Sequence, residues 1–244
     1  MRLDVDVEGV ERATVSGVAP SEVVEIDGWL VPLDAGAIGR AKSAVPLRHD
    51  LGAAALDEIE AAYRSRGLEP AFRIADLPGL ADLRAALARR GYAPTKPTVV
   101  KIGNLDRLAA LSRGAAEVLD RPDAGWASVF TGEGFDPADG ASRVSSLSRS
   151  PGALYGCVRE GSRTVAVGVA SLEDAWTGLH GLRTAVAHRG RGHAAAVMSA
   201  LASAARDRAA QSIFLQVEAA NPARNLYRRA GFEFAWLYEY WVRT

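Results

Sequence analysis

One stretch constrains this chain more than any other. Leu179 to Val186 reads as a strand, Ala187-His188-Arg189-Gly190-Arg191-Gly192 breaks it, and an alanine-rich helix over 194–210 follows at once. In a glycine-bearing turn of this kind, successive main-chain N–H groups point inward and form an anion-binding concavity. The helix start adds unpaired donors and a partial positive charge. A pyrophosphate is the natural occupant. Gly190 and Gly192 let the backbone approach phosphate oxygens with no Cβ in the way, while Arg189 and Arg191 supply charge. Two other phosphate motifs are set aside: the Gly-Lys-Ser/Thr of a P-loop is absent, and the Gly-x-Gly-x-x-Gly of dinucleotide folds lacks its third glycine.

Patterning extends this unit in both directions. Downstream come a strand at Ile213–Glu218, a short helix at Ala223–Arg229 and an aromatic-rich strand at Phe232–Arg243. Upstream, Leu154–Arg159 and Thr164–Leu172 are strands joined across Glu160-Gly161-Ser162, a hairpin signal. The first half repeats the order of elements. A weak helix ends at Pro20; strand-like runs occupy Val23–Leu33 and Ala41–Leu47; a helix over Ala53–Arg66 buries Leu56, Ile59 and Tyr63 at the 3/4 spacing. A strand at Ala71–Ala75, a helix at Leu80–Arg90 and a strand at Thr98–Ile102 follow. Arg89-Arg90-Gly91-Tyr92 stands 140 positions before Arg229-Ala230-Gly231-Phe232, and Gly52 stands 140 before Gly192. A diverged internal duplication accounts for both the order and the spacing, with a division into residues 1–110 and 111–244.

The residues after the long helix narrow the reading. Asn221-Pro222-Ala223-Arg224-Asn225-Leu226-Tyr227 is followed by Gly231-Phe232. Taken with Arg189, Gly192 and Ala194, this resembles the GCN5-related N-acetyltransferases, whose signatures are Arg/Gln-x-x-Gly-x-Gly/Ala and a Leu-Tyr pair ahead of Gly-Phe. The resemblance covers the second half, about 130 residues, and the whole chain is similar to a two-lobed subgroup with a degenerate first lobe. It implies an α/β fold of two lobes, each a mixed, mostly antiparallel sheet flanked by helices. It also implies acetyl-CoA as cosubstrate and a small-molecule or peptide amine as acceptor. On this resemblance the main chain of Leu182, Arg183 and Thr184 holds the pantetheine arm. The amides of Arg189, Gly190, Arg191, Gly192, His193 and Ala194 hold the diphosphate, and Tyr227 protonates the departing thiolate. Two positions depart from the family pattern: Val186 stands where a proline is common, and Ala220 where an asparagine is common, which leaves Asn221 one place off as a cofactor contact.

An amine near pKa 10.4 is almost wholly protonated at pH 7, so attack calls for a base. Glu173, Asp174 and His180 are the candidates near the strands before the turn, although carboxylates at a hairpin tip are ordinarily just solvated. The resemblance further implies an oxyanion donor in the main chain near Thr184, where that fold breaks its strand pairing. His188 and His193 flank the turn with no third ligand beside them in sequence, so no metal is expected there. Cys157, the sole cysteine, reads as a buried apolar residue, and it excludes an internal disulfide. In the first half, His49-Asp50-Leu51-Gly52 replaces the phosphate turn and Leu87 replaces Tyr227. That lobe is therefore expected to bind no coenzyme and to buttress the second or shape its acceptor side.

A formal net charge of zero gives no basic surplus for nucleic acid. The chain has no signal-peptide-like start and no stretch of about 18 apolar residues for a membrane span. These features point to a cytoplasmic monomer or homodimer. The alternatives to a transferase are a non-catalytic acyl-CoA sensor and a nucleotide-binding protein.

Overall fold

The computed structural model describes residues 5–243. In chain order the elements are α1 Val7–Val18, β1 Glu22–Ile26, β2 Trp29–Leu33, β3 Val45–Pro46, α2 Leu56–Arg64, β4 Ala71–Ala75, α3 Ala81–Arg89, β5 Tyr92–Gly103 and α4 Leu105–Ala109. The chain continues with β6 Glu117–Leu119, α5 Ala124–Thr131, α6 Pro137–Leu147, β7 Leu154–Glu160, β8 Arg163–Glu173, β9 Trp176–Thr184, α7 His193–Arg206, β10 Ser212–Glu218, α8 Arg224–Arg229 and β11 Glu233–Arg243.

Two differences from the pattern reading have local causes. The run Val23–Leu33 is a hairpin rather than one strand, because Asp27 and Gly28 both take positive φ, 44° and 80°. That is the two-residue turn whose twist suits a hairpin, and Asp-Gly is its usual sequence. Within Ala41–Leu47, only Val45 and Pro46 pair as a strand. Residues 39–42 wind into a single helical turn that the Ser43 hydroxyl closes on Gly39 O at 2.8 Å.

The fold is α/β, with one mixed sheet of eight strands in the order β4-β11-β5-β10-β9-β8-β7-β6 and a small sheet of β1-β2-β3. Every neighbouring pair in the large sheet is antiparallel except β9 with β10. The terminal strands of the two halves cross over: β5 lies between β10 and β11, and β11 lies between β4 and β5.

Helices cover both faces. α7 lies on one, where Gly156 and Gly168 admit Val197 and Leu201; a Cβ on Gly156 would stand 2.9–3.0 Å from them. α1 and α5 lie on the other. There the Trp126 indole donates to Gly168 O at 3.3 Å, and Gly17 leaves just enough room for His180. Burying whole aliphatic and aromatic side chains on both faces stabilises the sheet by roughly 1.5–3 kcal/mol per residue.

A candidate acyl-coenzyme A cleft

The parallel ladder between β9 and β10 runs from Trp176↔Ser212 to Leu179↔Leu215 and stops there. β9 continues to Thr184 and β10 to Glu218 without each other. The cause is a bulge in β9. Its register against β8 jumps from His180↔Val169 to Arg183↔Val167, so Gly181 and Leu182 together oppose Gly168. An extra residue bends the strand away from its partner. Gly181 carries φ 57°, and a Cβ there would press Leu147 at 2.9 Å and Phe130 at 3.1 Å, so glycine is required. The pairing break expected near Thr184 therefore lies at 181–182, while Thr184 remains paired with Ala166. β10 is held straight by β5, which pairs with it through Glu218↔Thr98.

The opening holds a cavity of about 710 Å³. Its walls are His180 to Arg183 from β9, Gln216 and Glu218 from β10, Tyr227 from α8, and Arg40 and Tyr240 from elsewhere. Beyond Leu179, among the described residues, the edge of β9 toward β10 has no strand partner. The Arg183 guanidinium points elsewhere: it donates to Phe130 O at 3.0 Å and stacks over Phe135 at 4.2 Å. Burial and then the neighbouring Arg143 lower its pKa. That leaves the Arg183 main chain to face the cleft.

Past β9 lies the turn. Gly190 and Gly192 carry φ of 77° and 85°, and a Cβ on either would meet no atom within 4 Å. The left-handed backbone demands glycine, and the space in front of it is open. Gly192 is the N-cap of α7 and offers no side chain to the helix. Because the first helical bond comes from Ala196 N–H to Gly192 O, the amides of His193, Ala194 and Ala195 lack an intrahelical acceptor. Arg189 Nε donates to Thr184 O at 3.3 Å and Arg191 Nη2 to Ala187 O at 3.1 Å, which folds both arginines over the turn. A diphosphate fits this cradle by shape, donors and charge.

Tyr227 lines the cleft, edge-on to Phe232 with ring centroids 6.2 Å apart. The hydroxyls of Tyr63, Tyr155 and Tyr238 are tied to Pro32 O, Leu147 O and Gln216. That of Tyr227 donates to no protein acceptor among the described residues, and burial raises its pKa. Asn221 also lines the cleft, but its Oδ1 accepts from Ala223 N–H at 2.9 Å, so only the amide end of the side chain is uncommitted.

The three base candidates part company. Glu173 and Asp174 sit at the β8–β9 turn, at the closed end of the ladder, and neither lines the cleft. Glu173 Oε2 accepts from the Ser16 hydroxyl at 2.7 Å. His180 does line the cleft, yet it is buried, with Nε2 2.9 Å from Ser171 Oγ and Nδ1 without a partner. Burial, reinforced by Arg40, depresses its pKa well below 6.5. The carboxylate that does face the cleft is Glu218. Its signal lay in the alternation Gln216-Val217-Glu218, which sends two polar side chains to one side of the strand. Arg40 arrives from the first half: its Nη1 donates to Gln216 Oε1 at 3.2 Å, and Gln216 Nε2 donates to Thr14 Oγ1 at 2.8 Å.

One expectation about metals needs correction in its premise. Folding brings Glu160, at the end of β7, between His188 and His193, so a third ligand atom is at hand. Cys157 is fully buried, and burial raises its thiol pKa. In the first half, Arg48 pairs with Asp50 at 2.9 Å, His49 packs edge-on against Trp236 at 5.0 Å and Leu87 is buried. Gly52 is absent from the left-handed glycines.

A mixed sheet that parts at one parallel pair, beside a glycine turn capping a helix, defines the architecture of the GCN5-related N-acetyltransferases. Over residues 5–241 the chain matches the family described as "Probable histone acetyltransferase Rv0428c C-terminal", and it belongs to that acyltransferase family. A Mycobacterium tuberculosis protein named probable histone acetyltransferase Rv0428c is 32% identical over 186 residues, which is 73% of this chain and 55% of that protein. The chain thus spans about half the length of this relative. A GCN5-related N-acetyltransferase from Kribbella flavida superposes with a TM-score of 0.73 at 17% identity, covering 100% of this chain and 96% of that one. A tandem GNAT protein from the clavulanic acid biosynthesis pathway gives 0.60 at 12% identity, covering 99% and 96%. At such identities the likeness is one of fold. No described helix is long and apolar enough to cross a membrane.

Proposed function

We propose that the protein transfers an acetyl group from acetyl-CoA to a primary amine by direct attack of the amine on the thioester. The observation that carries this is a cavity that holds both the unpaired edge of β9 and the untethered hydroxyl of Tyr227, with the open glycine turn following directly on the end of that strand. In this reading the main chain of Leu182 to Thr184 receives the pantetheine amides as an added strand. The amides of Arg189 to Ala194 grip the diphosphate with Arg189 and Arg191 supplying charge, and the Asn221 amide closes the far side. The donor supplies an activated acyl carbon. The chain supplies position, which alone accounts for a large share of the rate, and main-chain donors at the 181–182 bulge for developing oxyanion charge.

Tyr227 is the acid. Burial keeps its phenol protonated through the neutral range. A phenol above 10 is a weaker acid than a thiol near 8.5, so its part is to donate a hydrogen bond to the sulfur as charge develops there. Of the groups that reach the cavity, Glu218 is the base we assign, acting directly or through water. His180, held neutral, is a polar wall. The division at residues 110 and 111 follows the same reading: the first half is a degenerate lobe without a coenzyme site, and it shapes the acceptor side through Arg40. The acceptor is a small-molecule or peptide amine, and the protein works in the cytoplasm.

A thermal melt tests donor binding. Acetyl-CoA at about 100 times its Kd should stabilise the fold by about 2.7 kcal/mol, and acetyl-CoA consumption across an amine panel should then identify acceptors. A flat melt with acetyl-CoA removes the proposal. A shift with ATP instead makes the turn a nucleotide site, and binding without turnover of any amine makes the protein a sensor.

A further inference from the structure

Three side chains that the transfer chemistry does not use meet beside the glycine turn. His188 closes the short helical turn before it, His193 opens α7 after it, and Glu160 ends β7 on the adjoining hairpin. His188 Nδ1 lies 3.1 Å from Glu160 Oε2, and His193 Nε2 lies 3.0 Å from Glu160 Oε1. The ligand atoms of all three residues fall within 4.8 Å of one another. Both ring nitrogens are shut off from solvent, and neither makes a hydrogen bond of acceptable geometry despite the short distances. Two buried nitrogen donors aimed at one carboxylate, without a directed hydrogen bond, is an arrangement that a shared cation completes.

We propose that Glu160, His188 and His193 bind one divalent late transition-metal ion, of which Zn²⁺ is the representative. The donor set selects the class. Two imidazoles and a carboxylate suit zinc and its neighbours in the first row, whereas Mg²⁺ and Ca²⁺ require oxygen ligands throughout. The ion would join the residues on either side of Arg189–Gly192 and tie both to the β7–β8 hairpin, so its role is to brace the turn. It would also neutralise Glu160, whose Oε2 now lies 3.8 Å from Arg191 Nη1, and so release that arginine toward the turn. The site itself does not depend on the proposed function; only its coupling to coenzyme binding does.

Untagged, chelator-stripped protein titrated with ZnCl₂ in a calorimeter should take up one equivalent and melt at a higher temperature. His188→Gln, His193→Gln and Glu160→Gln should each lose that equivalent while keeping the wild-type far-UV spectrum. Zinc should tighten acetyl-CoA binding by about tenfold, and acetyl-CoA should tighten zinc binding equally. Zinc uptake by wild type that survives in His193→Gln and His188→Gln overturns the site. So does wild-type protein that takes up no zinc and is instead stabilised only by acidification, which would make the cluster a proton clamp. If zinc binds as stated and acetyl-CoA does not, the metal site stands and the transferase reading falls.

Discussion

Replacing Gly192 with alanine separates two contributions that the turn makes. Gly192 has φ 85°, and a Cβ there would meet no atom within 4 Å, so in the free protein a methyl group collides with nothing. The cost is conformational, about 1–2 kcal/mol for an L-residue in the left-handed region, which should lower Tm by about 2–8 °C in a chain of this size. Ligand binding should suffer separately, because the methyl stands in the open space that the diphosphate oxygens must approach. A tenfold loss of affinity corresponds to about 1.4 kcal/mol. At a concentration where wild type gains about 2.7 kcal/mol, the variant then gains only about 1.4. Gly52 is the control, since it occupies the equivalent place in the first half with open surroundings and no left-handed φ. Gly52→Ala should change neither the free Tm nor the acetyl-CoA shift. Scanning fluorimetry of the three proteins with and without acetyl-CoA decides the matter. If Gly192→Ala retains the full ligand shift, or Gly52→Ala loses it, the diphosphate is not held at this turn.

Tyr227→Phe should lower kcat by about 10²- to 10⁴-fold with acetyl-CoA affinity within twofold of wild type; equal turnover would remove the hydroxyl from the mechanism. Glu173→Gln should leave steady-state kinetics within twofold, because that carboxylate serves Ser16 at the closed end of the ladder, and a large fall in kcat would refute this placement. His180 is neutral in the folded protein and gains a proton on unfolding, so stability should fall as pH drops below 6.5 toward its depressed folded pKa. His49, held near pKa 4 by burial, acts in the same direction. Urea unfolding from pH 7 to 5 should show a shallower slope for His180→Gln; an unchanged slope contradicts the burial argument.

What could be read from the sequence divides along physical lines. The helix from His193, the turn before it and the strands around it rest on local signals: 3.6- and 2-residue periodicity, and glycines where φ must be positive. Tyr227 was singled out by a different route, the resemblance carried by Leu226-Tyr227 and Gly231-Phe232. The short strand β3 failed because Pro46 and the turn at 39–42 interrupt an apolar run whose composition alone suits a strand. The hairpin at Asp27-Gly28 is legible in that dipeptide, since both positions take positive φ and Asp-Gly favours such a turn. Glu160 was not legible as a partner of His188 and His193, since 28 positions and the two strands β8 and β9 separate it from His188. Nor was Arg40, which sits in the helical turn at 39–42 after β2 and reaches Gln216 only through tertiary packing. The bulge at Gly181–Leu182 left a weak trace, a glycine inside a strand, which the alternation nevertheless obscured.

The exchange of terminal strands explains why the first half matters to a cleft built in the second. A parallel pair that parts leaves a row of main-chain groups unpaired on each strand, and a strand so exposed is weakly placed. β9 keeps β8 along its whole length. β10 would have nothing beyond Leu215 if β9 were its only neighbour. β5, contributed by residues 92–103, pairs with β10 from Ile213 to Glu218, so the wall carrying Gln216 and Glu218 stays fixed while β9 bends away. β11 in turn closes the other edge of β5 and carries Trp236, Tyr238 and Trp241 into the core of the first half. The first half, which carries Asp50 and a half-buried His49 in its loop before α2, therefore has a physical task, which is to hold one side of the opening where it is.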